Sequence, residues 1–386
     1  MGNENYKKPK IKVIGVGGGG CNFQEHMISV VGNDLEQDSF VAVNTDQQSL
    51  QASKAHIKLQ IGATGLGAGA NPVVGREAAE YSEEETRKVC KNTDLIIIFA
   101  GLGGGTGSGA SPVVARIARE EGALVLGIVT KPFDFEGRVR KKIAEEAIVE
   151  FKKNADVTVV VSNQLLFKIT NQYTTFREAF KIIDNMCASF INSILDIFKT
   201  NGLINVDFAD IYSTIKNKGV GVIGVGYSDD GEGAALEAAM KALANPLLED
   251  VTMRSASNAL VHIAGNDISL LEVEEIMKKI HGELGEDVNI IHGMTIGEQG
   301  SFNYDAFLYN SGSFHDTTQK ESSLSPKKWV RVMIIVTGLT EKDKIEARED
   351  MFMDESSSFA ASASGEEVSP GKDNNIFNLL QKLSKK

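Results

Sequence analysis

The stretch GLGGGTGSGA, residues 101 to 110, holds six glycines in ten positions. It follows an apolar run, DLIIIFA, and precedes a stretch with helical spacing, SPVVARIAREE. Glycine loses more backbone freedom on folding than any other residue, so such a cluster is costly unless backbone must come close to backbone or to a ligand. The same punctuation recurs. KIKVIGVGGGGCN runs a strand into a glycine loop at 17–20, and GATGLGAGANP makes another at 65–71 ahead of a charged helix, VVGREAAEYSEEETRKVC.

Around these loops, strands and helices alternate with short connections. SFVAVNTD, ALVLGIVTKPF and DVTVVVSN read as further strands, with helices in NFQEHMISVV and RVRKKIAEEAIVEFKKN. Near-continuous Val and Ile runs separated by helices predict a parallel sheet covered on both faces. Residues 176–201 contain neither proline nor glycine and keep Phe176, Phe180, Ile183, Met186, Phe190, Ile194 and Phe198 at helical spacing. So wide an apolar surface predicts a long buried helix, ended by Gly202 as a C-cap. A second unit follows, with strands in GVGVIGVGYSDD, NALVHIAGN, VNIIHGMTI and WVRVMIIVTGL and helices between them. Residues 310–326 are polar and aperiodic and read as a surface loop. From about 341 the chain turns Ser-, Ala-, Glu- and Gly-rich, the composition of a disordered linker.

With a strand before it and a helix after it, a glycine loop makes an anion site. Its N–H groups converge, and the helix start adds partial positive charge. Three such loops at the carboxyl ends of parallel strands would share one crevice. The formal net charge of -12 argues against nucleic-acid or membrane-surface binding, so backbone N–H groups must hold any phosphorylated ligand. GVGGGG alone satisfies G-x-G-x-x-G, with Asp46 as a possible ribose acceptor of a dinucleotide-using oxidoreductase. That reading leaves the other two loops unexplained. No loop ends in Gly-Lys-Ser/Thr and no G-x-S-x-G occurs, which excludes a P-loop motif and gives a serine hydrolase no support. Three cysteines without a CxxC fit a reducing compartment, and six histidines without HxxxH spacing suggest no zinc site. The N-terminus has no apolar segment and no run is long enough to span a membrane, so a cytoplasmic protein without membrane insertion is expected.

GLGGGTGSGA resembles the tubulin signature loop. KVIGVGGGGCN, VNTD, GLGAGANP, TKPFDFEG and NVDFADI resemble, in order and spacing, the FtsZ family of bacterial cell-division GTPases, over residues 11 to 340. The resemblance implies an α/β fold with an N-terminal Rossmann-like parallel-sheet GTPase domain, a long central helix, a smaller α+β C-terminal domain and a disordered tail. Its expected divisions are a flexible arm at 1–10, a GTP-binding domain at 11–175, the helix at 176–202, a C-terminal domain at 203–340, and a linker with a partner-binding peptide at 341–386.

The resemblance also implies site roles. Gly18, Gly19, Gly20, Cys21 and Asn22 would line the nucleotide pocket, Cys21 through its backbone, with a thiol open to alkylation. Ala68, Gly69, Ala70 and Asn71 would face the γ-phosphate. Gly103, Gly104, Gly105, Thr106, Gly107, Ser108 and Gly109 would wrap the phosphates, and Glu136 and Arg140 would lie near the ribose. Asp184 would read guanine, because a carboxylate accepts from both N1–H and N2–H. From the residues alone, Glu136 and Arg140 are an i,i+4 charge pair, Asp184 is a helix-surface acid, and Asn205 or Asp207 caps a helix whose dipole Asp210 complements. By resemblance, Asn205, Asp207 and Asp210 are catalytic. A 26-residue helix spans roughly 39 Å, so they would act on the nucleotide of a subunit stacked head-to-tail. The implied cofactors are GTP or GDP and Mg²⁺. The implied partners are further copies of the chain and membrane-tethered division proteins that bind the C-terminal peptide, at a mid-cell division ring. Here NIFNLLQKLSKK occupies the peptide's place without the family's usual Ile-Pro and Leu-Arg features.

Overall fold

Apolar runs of this kind can be buried on both sides only if helices cover both faces of the sheet they form. The computed structural model describes residues 8–32, 35–199, 202–229, 231–244, 253–297 and 328–339. Both the 310–326 loop and the tail from 341 lie outside the described residues.

Ten strands form one sheet. They are β1 (Ile11–Val16), β2 (Phe40–Asn44), β3 (Ile57–Gln60), β4 (Leu95–Gly101), β5 (Leu124–Lys131), β6 (Val157–Ser162), β7 (Gly219–Ser228), β8 (Asn258–Gly265), β9 (Asn289–Ile296) and β10 (Val330–Thr337). Their order is β3-β2-β1-β4-β5-β6-β7-β10-β8-β9. All adjacent pairs are parallel except those of β10, which runs antiparallel to β7 and β8. A seam of three residue pairs, Val157 to Gly219 through Val159 to Gly221, joins β6 to β7 and makes the sheet continuous.

The helices are α1 (Gly17–Val31), α2 (Gln47–Ala52), α3 (Pro72–Tyr81), α4 (Glu83–Cys90), α5 (Gly105–Glu120), α6 (Arg138–Asn154), α7 (Leu166–Ile169), α8 (Phe176–Lys199), α9 (Phe208–Ile215), α10 (Ala234–Leu243) and α11 (Leu270–Leu284). The strand alternation sorts the core into two layers. Val13, Ile97, Phe99, Leu126 and Ile128 face α1 and α8, whereas Ile14, Ile96, Ile98, Val125 and Val129 face the opposite layer, with α5 and α6. The core around α8 also takes in Ile223, Val225, Leu260, Met333 and Ile335 from the second half of the sheet. Arg331 of β10, only 1% exposed, pairs with Asp196 of α8 across the same junction.

Two local readings differ from the expectation. The helices after the first and third glycine loops begin inside the glycines, at Gly17 and Gly105. There the missing side chains let backbones touch: a Cβ on Gly107 would overlap the carbonyl oxygen of Gly101, and one on Gly109 that of Pro72. The charged helix breaks at Ser82 into α3 and α4, and the Ser82 hydroxyl accepts from Gly62 N–H at 3.0 Å. Gly202 was expected as a C-cap; the helix end beyond Lys199 lies outside the described residues, and what Gly202 provides is room, because a Cβ there would overlap the carbonyl oxygen of Met294.

Candidate functional site

Parallel strands deliver their carboxyl ends, and the loops that leave them, to one edge of the sheet. The three glycine loops meet there around the start of α5. A Cβ on Gly17 would lie 2.8 Å from Gly107 N, and one on Gly105 would lie 2.8 Å from Ala68 Cβ and 2.9 Å from Asn71 N. The Thr45 and Thr106 hydroxyls are hydrogen-bonded at 2.7 Å, linking the end of β2 to the first turn of α5. Gly103 faces Pro132 and the backbone of Arg140, which brings the segment after β5 to the same place. Positive φ at Gly17, Gly69 and Gly103 is the backbone reason for glycine at those turns.

The helix starts differ in a way that bears on chemistry. Side chains cap α2 (Asp46), α3 (Asn71), α9 (Asp207) and α11 (Ser269). No side chain caps α1 or α5, and neither has an acid in its first turn. Their leading N–H groups therefore keep donor capacity for an outside acceptor, and the helix field favours an anion. Nothing lies within 4 Å of a Cβ added to Gly18, Gly69 or Gly104. Those three glycines border open space, whereas Gly19, Gly20, Gly105, Gly107 and Gly109 serve close packing of the loops.

The other expected residues are distributed as follows. Asn22 is exposed on α1. Ala68 is buried, Gly69 and Ala70 are exposed, and the Asn71 side chain accepts from Val73 N–H at 3.0 Å as the cap of α3. The Ser108 hydroxyl accepts from Gly103 N–H at 2.9 Å and so braces the third loop from within. Glu136 accepts from Phe133 N–H at 2.9 Å and pairs with Arg140 at 2.6 Å. Asp46 accepts from Gln48 and Ser49 N–H groups through Oδ1 as the cap of α2.

Cys21 departs from the expectation of a reactive thiol. It is 2% exposed, its Sγ donates to Gly15 O at 3.6 Å, and burial pushes its pKa up to about 12. A buried, protonated thiol is a poor nucleophile. Cys21 can meet a ligand only through its backbone.

Asp184 lies on α8, which packs on α1 through a hydrogen bond of 2.6 Å between His26 Nε2 and Asn185 Oδ1. The carboxyl of Asp184 has no hydrogen-bond or ion-pair partner among the described residues, and burial pushes its pKa up to about 8. Asn163 escaped the sequence reading as a site residue, and Phe180 enters it only as part of the apolar stripe of α8. Asn163, at the carboxyl end of β6, is 6% exposed, and its Oδ1 has no hydrogen-bond partner. The segment after it packs on α8, with Leu165 and Leu166 lining a small cavity beside Ile183 and Met186. Phe180 sits in an aromatic cluster with Phe133, Phe135 and Phe176. An Asn directly after a strand and a Phe one turn before an acid were the available signals, and neither is distinctive in a single sequence.

Asn205, Asp207 and Asp210 are elsewhere. From Asp184 to Lys199 the helix runs about 22 Å, and these three residues follow it. Asn205 and Asp207 are exposed and Asp210 half-buried. Asp207 N–H donates to Asp210 at 2.9 Å and Asp210 N–H to Asp207 at 3.0 Å, a reciprocal cap at the start of α9. The far end of α9 rests on Asp156, just ahead of β6, at the amino edge of the parallel strands. One chain therefore carries an anion-receptive crevice and, beyond the far end of α8, a separate acidic loop whose leading residues pair with β9 through Ile204 and Met294.

Comparison with known proteins agrees with this architecture. The family model described as Tubulin/FtsZ family, GTPase domain matches residues 10–171, and that of the FtsZ family, C-terminal domain matches residues 219–302. The cell division protein FtsZ of Magnetospirillum gryphiswaldense is 43% identical over 302 residues, 77% of this chain and 53% of its own. That of Bartonella bacilliformis is 46% identical over 290 residues, 74% of this chain and 48% of its own. The chain thus spans about half the length of these curated relatives. A solved structure, the empty FtsZ dimer of M. jannaschii, is 36% identical with a TM-score of 0.71, covering 86% of this chain and 89% of that one. With both FtsZ domain models met in sequence order, and the fold shared along almost the whole of that structure, the chain belongs to the FtsZ family.

Proposed function

We infer that this chain is a tubulin-like GTPase that assembles head-to-tail into filaments for cell division and hydrolyses GTP between subunits. The observation that carries the reading is the separation of the anion-receptive crevice from the acidic loop. A centre whose two halves are held apart along α8 of one chain is completed by a second copy, and a heterologous contact of that kind propagates as a filament. Exposed apolar residues beside each half, Leu66 at 88% and Leu203 at 68%, suit burial in such a contact.

In this reading the N–H groups at the starts of α1 and α5 hold the phosphates, with Gly18, Gly69 and Gly104 leaving room for them. The Thr106 hydroxyl adds a donor. Ala68, Ala70 and Asn71 close the γ-phosphate side, and Glu136 and Arg140 border the ribose. Asp184 accepts from guanine N1–H and N2–H, a pair adenine does not offer, and the unpartnered Oδ1 of Asn163 is a further acceptor. Asn205, Asp207 and Asp210 of the adjoining subunit orient and polarise the attacking water.

No group of three His, Cys, Asp or Glu side chains able to hold a metal occurs among the described residues. The crevice therefore fits Mg²⁺ only as an ion carried on the phosphate oxygens with its own waters. When bound, it would neutralise charge on those oxygens. Loss of the γ-phosphate from the joint weakens the contact, so filaments form with GTP and loosen with GDP. The expected site of action is the cytoplasmic division ring, where division proteins would attach through the C-terminal segment; among the described residues no helix is long and apolar enough to cross a membrane.

GTP turnover measured against protein concentration, with light scattering alongside, tests the reading. Both signals are expected to vanish below one shared threshold. Turnover proportional to protein at every dilution would refute a centre shared between subunits.

A further inference from the structure

The helix that starts at the phosphate crevice ends against the turn that follows α9. α5 begins at Gly105 and, sixteen residues later, finishes with Arg119 in its last turn. Arg119 donates to Asn217 Oδ1 at 2.7 Å and to Lys153 O at 3.1 Å, and its Nε lies 3.6 Å from Asp156. Asp156 is fully buried and gathers the turn that ends α9. Its carboxylate accepts from Val125 N–H at 2.8 Å and Asn217 N–H at 3.4 Å, with Lys216 Nζ at 3.2 Å. Its carbonyl accepts from Lys218 N–H at 2.9 Å and Gly219 N–H at 2.8 Å.

Ile211 and Ile215, both fully buried, hold α9 against the sheet. Apolar packing is non-directional and does not set where a short helix stops along its own axis. Charge-assisted hydrogen bonds do. The contacts of residues 216–219 with Asp156 and Arg119, together with the bond from Thr337 Oγ1 to Thr214 O at 2.6 Å, thus set the axial position of α9, and the reciprocal Asp207–Asp210 cap stands at its other end.

We propose that Arg119, Asp156 and Asn217 are positioning residues, which fix α9 so that Asp207 and Asp210 meet the nucleotide of the adjoining subunit. This rests on the shared-centre reading above. The role passes through α9 alone, since none of the three lies at the phosphate crevice.

Arg119→Ala removes the clamp from the α5 side. Asn217→Gly removes the same contact from the other side without strain, because Asn217 has φ of 55°, a conformation glycine adopts freely. In the full-length protein, each variant is expected to bind GTP within twofold of wild type and to assemble at a similar threshold. Turnover per assembled subunit should fall roughly tenfold, short of the hundredfold that a misplacement of one ångström can cost. The double variant should be no slower than the worse single variant, as expected for two residues acting through one contact. Arg119→Lys should recover part of the rate, since its ammonium reaches Asp156 but cannot span Asn217 and Lys153 as well.

A purely structural role predicts the reverse pattern: a lower melting temperature and a raised assembly threshold, with wild-type turnover per assembled subunit. That result, or fully additive losses in the double variant, overturns the proposal. Wild-type protein without threshold-dependent turnover would overturn the functional reading itself and is scored before any variant.

Discussion

Asp207 and Asp210 hold each other's backbone, each carboxylate accepting from the other's N–H at 2.9 and 3.0 Å. The exchange satisfies two of the donors a helix start leaves open. It also sets two carboxylates side by side on an edge of the molecule where like charges would otherwise part.

The exchange separates structural from chemical loss at Asp210. An amide at this position still accepts from Asp207 N–H, so Asp210→Asn should fold and bind GTP as wild type does while phosphate release falls at least a hundredfold. Asp207→Ala also loses its cap, about 1 kcal/mol of stability, and should show both defects. Phosphate release and nucleotide affinity measured on the same samples check both; normal release from Asp210→Asn would remove that residue from the chemistry.

Asp184 gives the nucleotide-free protein a pH dependence of definite sign. Its pKa of about 8 stands above the ordinary 3.8. Below about pH 4 the carboxyl is protonated in both folded and unfolded chains and makes no difference. Between about pH 4 and pH 8 the unfolded chain ionises while the folded one resists, so stability drains away as pH rises through that window. Asp184→Asn should flatten this slope and abolish preference for GTP over ATP. Urea midpoints of the two empty proteins at about pH 5 and pH 8 give the comparison, and parallel declines would mean the slope has another source.

The glycines divide into those that border open space and those that border backbone. Gly104→Ala should melt like wild type, since an added methyl meets nothing within 4 Å, yet weaken GTP binding tenfold or more. Gly107→Ala should lose stability by about 1–3 kcal/mol or fail to fold, through overpacking against Gly101. Thermal melting together with a nucleotide titration separates the two; unchanged GTP affinity in Gly104→Ala would argue against phosphate beside that residue.

All three cysteines are buried with raised pKa values. A maleimide added to the native protein for minutes should label none of them, whereas the protein in strong denaturant should take three labels. Native labelling at Cys21 with loss of GTP binding would restore the reactive-thiol view.

Much of the architecture was legible because its signals are local. Continuous Ile and Val runs such as LIIIFA need two covered faces, and each glycine loop announced a turn at a strand end. What was not legible depends on partners distant in sequence. Helices α1 and α5 start among glycines because Gly17 meets Gly107 and Gly105 meets Asn71, contacts no window of neighbours contains. Strand β3 does alternate, with Ile57 and Leu59 apolar and Lys58 and Gln60 polar, but at four residues the pattern is too short to stand out. Cys21 looked available because it adjoins a ligand loop, yet helical geometry turns its side chain inward. The acids of NVDFADI read equally well as a cap, and the cap is real; whether they also cleave a phosphate is decided on a second molecule.

The unfilled donors at the starts of α1 and α5 have a consequence for the empty chain. An anion that meets them finishes two helices, so on the proposed reading the nucleotide is a piece of the scaffold as well as a substrate. At a hundredfold excess over its dissociation constant such a ligand deepens the native well by about 2.7 kcal/mol, a sizeable share of the roughly 5–15 kcal/mol that holds a domain folded. A subunit stripped of nucleotide is then a weaker fold and not merely an idle one, and guanylate scarcity would be felt first as thermal fragility.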